Sequence, residues 1–169
     1  DMVTATLHVI RMNITNVNID AGTLNINMIN QPGCSYCSDN IYSNQNTCEW
    51  YGADWISDLE MDEAACGAVN GDYFDGNVSG FQFYMEGITI TGVSGGTADQ
   101  YLDFIDFNAP SGKIVGSSFS GSTIPAGSAI LTTVTFSNFD DSEICFAEND
   151  CSTGACSNVI ADAAGSSVD

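Results

Sequence analysis

GFQFYMEGITIT, residues 80–91, is the clearest strand pattern in the chain. Phe81, Phe83 and Met85 alternate with polar residues, so one face of the strand is apolar and the other can meet water. Gly87 interrupts the alternation, which the ITIT sequence then resumes. Because a glycine inside a strand pattern marks a bulge or a bend, we predict two strands joined at Gly87.

The same alternation returns in residues 122–136, STIPAGSAILTTVTF, after a Pro-Ala-Gly turn. Its inward residues recur at every second position up to Phe136, which is the period of a strand with one buried face. The two stretches together predict a twisted antiparallel sheet. We expect the core to contain the inward residues of both: Phe81, Phe83, Ile88, Ile90, Ile130, Val134 and Phe136.

Short strand patterns recur through the rest of the chain, separated by Gly and Asn. Residues 16–20 and 24–28 indicate one pair of strands, and residues 101–107 and 113–119 indicate two more. This spacing predicts an all-β fold, an antiparallel jelly roll or β-sandwich of about nine strands. A length of 169 residues is sufficient for one such domain, 1–169, with an ample core.

The alternation stops between residues 31 and 79, a segment that holds both tryptophans and several cysteines. We interpret it as a disulfide-rich insertion, in which residues 57–65 form a short helix capped by Ser57. The cysteines of the insertion are expected to pair among themselves, and two of the later ones to pair together, with the partners left open. The cysteines concerned are Cys34, Cys37, Cys48 and Cys66 in the insertion, and Cys145, Cys151 and Cys156 after it.

The CSYC motif at residues 34–37, together with Cys48 and Cys66, also satisfies the ligand count of a tetrahedral zinc site. Zinc sites of this type usually contain a second closely spaced cysteine pair, which the sequence lacks. We therefore favour disulfides over zinc. Redox catalysis is favoured even less, because no βαβ pattern surrounds the motif.

The chain carries 22 acidic and only 2 basic residues, a formal net charge of −20. Such a surface repels nucleic acid and anionic lipid, so we predict no nucleic-acid partner, and no apolar run is long enough to predict membrane insertion. We predict that no cofactor is required. Several carboxylates lie at predicted turns of the kind that supply oxygen ligands to calcium, so Ca2+ is the candidate for a bound ion. These candidate ligands are Asp72, Asp75, Asp99, Asp103, Asp106, Asp140 and Asp141.

Cysteine usage points to an oxidising compartment. Seven cysteines in a chain that is poor in lysine and rich in Ser, Thr and Asn are expected to pair, which happens in secreted proteins. Asn13 and Asn77 each begin an Asn-x-Ser/Thr triplet, the acceptor for glycosylation in such proteins. We therefore predict an extracellular or cell-surface location.

Residues 1–15 contain a further strand pattern, in which Val3, Ala5, Leu7 and Val9 share one apolar face. That face must be buried, either on the chain's own sheet or on the sheet edge of a second copy. Donation of the strand to a neighbouring copy is a head-to-tail contact, which generates a filament unless the rotation closes a ring. Both hypotheses stay open from the sequence alone.

The aromatic residues of the insertion allow two interpretations. They can form a flat platform for a sugar or a protein, or they can form the small core of the insertion itself. The small core is the favoured interpretation. The residues concerned are Trp50, Tyr51, Trp55, Tyr73 and Phe74.

Four stretches occur in an order that resembles cohesin-like modules: the strand at 24–28, GFQF at 80–83, a GVSGG turn, and TIPAG at 123–127. Those modules are β-sandwich domains of cellulosome scaffolds and of secreted microbial and algal surface proteins. The resemblance covers residues 17–30 and 80–169, and implies a jelly-roll sandwich with a binding or structural role and no catalysis. The disulfide-rich insertion and the extra N-terminal strand depart from the pattern of the family.

Three classes of function are compatible with these features. We favour a non-enzymatic extracellular structural or adhesive subunit that self-associates by strand exchange into a filament or surface layer. The alternative is a cohesin-type binding module for a dockerin-like protein or a glycan. A glycoside hydrolase is the least favoured, because carboxylate pairs arise by chance among 22 acids and His8 has no nucleophile motif beside it.

Overall fold

The computed structural model describes residues 9–139, 143–147 and 158–168. Within these residues the chain forms twelve strands and three short helices. The strands are β1 (Ile10–Asn18), β2 (Thr23–Asn30), β3 (Gly33–Cys37), β4 (Trp55–Asp58), β5 (Asp72–Phe74), β6 (Val78–Glu86), β7 (Thr89–Ser94), β8 (Phe104–Asn108), β9 (Lys113–Ser117), β10 (Gly127–Ser137), β11 (Cys145–Phe146) and β12 (Val159–Asp162). The helices are α1 (Gln45–Trp50), α2 (Glu63–Ala68) and α3 (Gly96–Tyr101).

Two antiparallel sheets form a β-sandwich around one hydrophobic core, which confirms the predicted fold class. The four-stranded sheet has the order β1-β2-β10-β7. In the five-stranded sheet, β11 and β12 pair with different parts of β6, and β9 and β8 follow on its other side. Inward residues of both sheets meet in the core, as alternation along each strand requires.

The chain crosses between the two sheets at Gly87, which separates β6 from β7. Its φ of 85° lies in the left-handed region that favours glycine. A Cβ atom at this position would lie 2.0 Å from the carbonyl oxygen of Glu143, so the site also excludes a side chain sterically. The predicted break at Gly87 is therefore the corner at which the chain changes sheets.

The core contains most of the residues that the alternation predicted, but Ile130 is 39 % exposed. A β-bulge between Ile130 and Thr132 interrupts the pairing of β10 with β2. Leu131 is the extra residue and it is fully buried, so the side chains before the bulge are shifted to the opposite face. The prediction that Ile130 lies in the core was wrong for this reason.

Two predictions of local structure were also wrong. Trp55–Asp58 forms strand β4 instead of entering a helix, because this segment pairs with β3, and α2 begins later. The cap of α2 is Asp62, whose carboxylate accepts a hydrogen bond of 2.8 Å from the N–H of Ala65. Residues 101–107 are not one strand, because Tyr101 ends α3 and β8 begins after it.

The insertion folds as a small antiparallel sheet of order β4-β3-β5 with a helix held on each face. One disulfide joins Cys34 of β3 to Cys66 of α2, and the other joins Cys37 of β3 to Cys48 of α1. Side chains three positions apart on a strand point to opposite faces, so α1 and α2 lie on opposite faces of this sheet. All four of these cysteines are buried, and β3 therefore holds both helices.

Asn30, at the end of β2, connects the insertion to the sandwich. It is only 2 % exposed, and its Nδ2 donates to the carbonyl oxygens of Gly76 at 2.6 Å and Pro125 at 3.0 Å. Gly76 leads out of the insertion, and Pro125 precedes β10. One buried amide thus joins three segments that are far apart in the sequence.

Candidate interaction surfaces

The four-stranded sheet is free of negative charge. None of its strands contains an Asp or a Glu, although the chain has 22 acidic residues. Its outer face carries amides and hydroxyls that bond one another, such as Thr133 Oγ1, which donates to Asn25 Oδ1 at 3.0 Å. This sheet is therefore the part of the sandwich that another acidic molecule can approach with the least repulsion.

Strand β1 forms one edge of that sheet. It pairs with β2 in regular register from Ile10 to Thr15, and no described strand lies on its other side. The N–H of Gln31 donates to the carbonyl oxygen of Val9 at 2.9 Å. Because hydrogen-bonded and non-bonded pairs alternate in an antiparallel ladder, the backbone groups of Ile10, Met12 and Ile14 point away from β2. They form a free edge of the kind that can accept a further strand.

The predicted assembly strand lies mostly outside the described residues. Val3, Ala5 and Leu7 are not described, and neither is His8. Val9, the fourth residue of the predicted apolar face, is buried in the chain's own core.

Helix α1 of the insertion ends in two large exposed aromatic side chains. Trp50 is 84 % exposed and Tyr51 is 66 % exposed, and the Tyr51 ring stacks on Tyr42 with centroids 4.9 Å apart and planes 2° from parallel. None of these three residues belongs to the hydrophobic core. We refer to Tyr42, Trp50 and Tyr51 as the aromatic patch, because exposed apolar surface of this kind can mark an interaction site.

The other predicted aromatic residues do not join this patch. Phe74 is buried in the sandwich core. Trp55 pairs with Cys37 and Tyr73 pairs with Cys34, so these two rings lie on opposite faces of the small sheet. The Trp55 indole N–H is buried without a hydrogen-bond partner. The predicted set is therefore divided, and Tyr42, which carried no signal in the sequence, takes the place of these residues beside Tyr51.

Among the candidate calcium ligands that the structure describes, Asp75 and Asp99 accept local hydrogen bonds, whereas Asp72 and Asp106 lie on strands. Asp75 accepts from the backbone N–H and from Nδ2 of Asn77, both at 2.8 Å, and Asp99 accepts from the N–H of Gly95. Asp106 accepts from the N–H of the next residue, and Asp72 is exposed on β5. In the described part of the chain, no three His, Cys, Asp or Glu side chains come together as a group that could hold a metal ion. Asp140 and Asp141 lie outside the described residues, so calcium binding remains a prediction.

Asp103 has the most hydrogen bonds among these carboxylates. Its Oδ2 accepts from the backbone N–H groups of Ser120 at 2.9 Å and Phe119 at 2.8 Å, and from the hydroxyl groups of Ser120 and Ser118. The hydrogen bonds from Ser120 contribute most to lowering the pKa of Asp103 from its ordinary 3.8 to about 2. The carboxylate therefore holds the loop after β9 against the start of β8.

Replacement of Asp103 by Asn should lower stability in a pH-dependent way. A depressed pKa in the folded state stabilises the fold above the unfolded value, and this contribution disappears as the pH falls through the folded value. The urea midpoint of Asp103→Asn should thus lie below that of the unmodified chain at pH 6, and the difference should shrink between pH about 4 and about 2. The effect should be small, because water screens an exposed carboxylate. Asp106→Asn is the control, and an equal pH-dependent difference there would contradict the assignment.

The remaining predicted site residues are three cysteines and the two asparagines of the glycosylation triplets. Cys145 has no disulfide partner among the described residues, and burial, followed by the Glu143 and Glu86 carboxylates, raises the pKa of its thiol. Cys151 and Cys156 lie outside the described residues. Asn13 is exposed on β1, whereas Asn77 is half-buried in the turn before β6. Both sequons remain predicted glycosylation sites.

Comparisons of the chain with protein-family models, curated proteins and solved structures found no match. The cohesin-like resemblance therefore stays a prediction. None of the helices in the described residues is long and apolar enough to cross a membrane. The free edge of β1 and the aromatic patch are the two surfaces from which a function can be inferred.

Proposed function

We propose that the chain is a non-enzymatic extracellular structural subunit that self-associates by donating residues 2–8 as a strand to a neighbouring copy. The buried disulfides of the insertion support an oxidising compartment. The observation that carries the proposal is the pairing around β3, which already has β4 and β5 as neighbours.

The register of β1 against β2 shows why. Ile10 lies opposite Asn30, so continuing the same register upstream would place Leu7 opposite Gly33 and Ala5 opposite Ser35. Those positions belong to β3, which already has β5 on one side and β4 on the other. This pairing supports the proposal that the apolar face of Val3, Ala5 and Leu7 pairs with a different edge.

The free edge of β1 on a second copy fits this strand in hydrogen bonding and in charge. Its unpaired backbone groups at Ile10, Met12 and Ile14 match the requirements of an added strand. The sheet behind them contains no carboxylate, which matters because each subunit carries a net charge of −20. A donor and an acceptor at different places on one subunit make a head-to-tail contact, which extends into a filament unless it closes into a ring. Salt or divalent cations should favour the assembly by screening repulsion.

Deletion of residues 1–8 tests the proposal, since it leaves Val9 in the core and β1 intact. The expected product is a folded monomer that no longer assembles, as judged by sedimentation velocity across a concentration series and by electron microscopy. If the deletion unfolds the domain, the segment belongs to the chain's own core and the proposal is wrong. A full-length chain that stays monomeric in salt and in Ca2+ at every concentration also overturns it.

A pair of point variants separates the donor face from general charge effects. Leu7→Glu places a carboxylate on the predicted buried face, and His8→Glu places the same charge on the opposite face of the same strand. Leu7→Glu should weaken association by about 100-fold, because a carboxylate without a partner would be buried at the contact. His8→Glu should change it by about twofold or less. Equal effects of the two substitutions would exclude strand pairing as the mode of association.

A further inference from the structure

We propose that the aromatic patch of Tyr42, Trp50 and Tyr51 binds a neutral carbohydrate chain. The inference is independent of self-association, because the patch lies on the insertion whereas the free edge of β1 belongs to the four-stranded sheet. Its basis is the arrangement of the rings, their rigid support, and the charge around them.

The rings are held by a rigid support. The buried Cys37–Cys48 disulfide joins α1 to β3, and the Asn44 side chain caps the helix by accepting from the N–H of Thr47 at 2.9 Å. Tyr42 precedes the helix and Tyr51 follows it, so the helix brings their rings into parallel contact. A patch that is ordered before a ligand arrives loses little conformational entropy when it binds.

The chemistry of the patch suits a sugar. The apolar C–H face of a pyranose ring needs a flat apolar surface, and the Trp50 ring, which is 84 % exposed, offers one. Tyr51, the next residue, stacks on Tyr42 and is itself 66 % exposed. Asn46 lies one helical turn before Trp50, on the same side of α1, where its exposed amide can donate to and accept from hydroxyl groups. Exposed rings with an adjacent amide are a polar-rimmed apolar surface, which is typical of ligand sites.

The charge around the patch indicates that the ligand is neutral. Residues 31–79 contain no Lys or Arg, while the chain as a whole carries −20, so phosphate, sulfate or uronate groups would find no cation and would be repelled. Glu49, the carboxylate within α1, accepts a hydrogen bond from Gln45 Nε2 at 2.8 Å. Base stacking by a nucleic acid is disfavoured by the same charge repulsion.

The size of the patch argues against a protein partner. Three aromatic side chains have about 450–750 Å2 of surface in all, and Tyr42 is partly covered, whereas a stable protein interface buries about 800 Å2 on each partner. A chain of a few sugar rings needs only a surface of this smaller size. We therefore assign the patch to a glycan and make a second copy of the chain an outcome of the test.

Isothermal titration calorimetry on the full chain provides the test. The probes are cellohexaose, mannohexaose and the hexamer of N-acetylglucosamine, with a polygalacturonate fragment as the anionic comparator. At least one neutral probe should bind, and the anionic one should not. Trp50→Ala and Tyr51→Ala should each weaken binding by about tenfold or more, since a stacked ring is lost.

Phe119→Ala is the matched control. Phe119 is an aromatic residue outside the insertion and is 78 % exposed, so its loss should leave the affinity unchanged. The proposal is overturned if no neutral probe binds, if Phe119→Ala weakens binding as much as Trp50→Ala does, or if only the anionic probe binds. Loss of self-association in Trp50→Ala would assign the patch to a second copy and would also overturn it.

Discussion

Asn30→Asp should destabilise the fold severely, at a cost of about 3–5 kcal/mol of unfolding free energy. Asn30 is 2 % exposed, and its amide donates both of its hydrogen bonds to carbonyl oxygens, at 2.6 Å and 3.0 Å. A carboxylate has no proton to donate, so the substitution would bury a negative charge against two acceptors. Asn30→Ala only removes the donors and should cost about 1–3 kcal/mol.

The defect of Asn30→Asp should depend on pH in a direction that distinguishes it from a packing defect. Burial beside carbonyl oxygens raises the pKa of the introduced carboxyl in the folded state, so the variant loses stability as the pH rises from the unfolded value of about 4. Urea unfolding followed by circular dichroism should therefore show the gap to Asn30→Ala growing between pH about 4 and about 7.

Asn27→Asp is the control for that experiment, because it makes the same chemical change on the outer face of the same strand. It should cost less than about 1 kcal/mol. An Asn30→Asp protein as stable as Asn27→Asp at neutral pH would show that the Asn30 junction does not hold the three segments together.

Loss of the Cys34–Cys66 disulfide should also lower the unfolding free energy by a large amount. The bond closes a sequence separation of 32 residues, against 11 for Cys37–Cys48. On chain entropy alone, removal should cost about 4 kcal/mol for the longer loop and about 3 kcal/mol for the shorter one. The variants to compare are Cys34→Ala with Cys66→Ala, and Cys37→Ala with Cys48→Ala.

Tryptophan fluorescence reports the unfolding of the insertion alone, because Trp50 and Trp55 are the only tryptophans in the chain and both lie in the insertion. Far-UV circular dichroism follows the sandwich strands as well. In the Cys34→Ala, Cys66→Ala protein, the fluorescence transition should move to lower urea than the dichroism transition. Coincident transitions with unchanged midpoints would show that the small sheet is stable without its covalent links.

The sandwich could be predicted from sequence where alternation and sheet pairing agree. Residues 80–91 predicted both the buried face of β6 and the break at Gly87, because a period of two and a glycine are local signals. The prediction that Ile130 lies in the core was wrong because a bulge moves side chains to the other face without changing the local composition. The helix prediction for the segment that includes Trp55–Asp58 was wrong because this segment forms a strand by pairing with β3, and a local capping signal carries no information about that pairing.

The interaction surfaces were less predictable, because they depend on contacts between distant residues. Trp50 and Tyr51 were visible as aromatic residues in a cysteine-rich segment, but the stacking of Tyr42 on Tyr51 requires α1 to fold between them. The free edge of β1 can be recognised only once the strand order of the sheet is known. The lack of carboxylates on that sheet likewise becomes visible only when its four strands are placed side by side. Sequence alternation did single out Val3, Ala5 and Leu7 as a face in need of a partner.

The Asn30 junction also makes the insertion a cassette whose length can change. The insertion leaves the sandwich directly after Asn30 and returns through Gly76, whose carbonyl oxygen lies 2.6 Å from the Asn30 amide. Because its two ends are already together, a change in the length of the cassette adds little closure entropy and need not move the strands on either side. The same sandwich can therefore carry an insertion of a different length, provided that Phe74 keeps its place in the core.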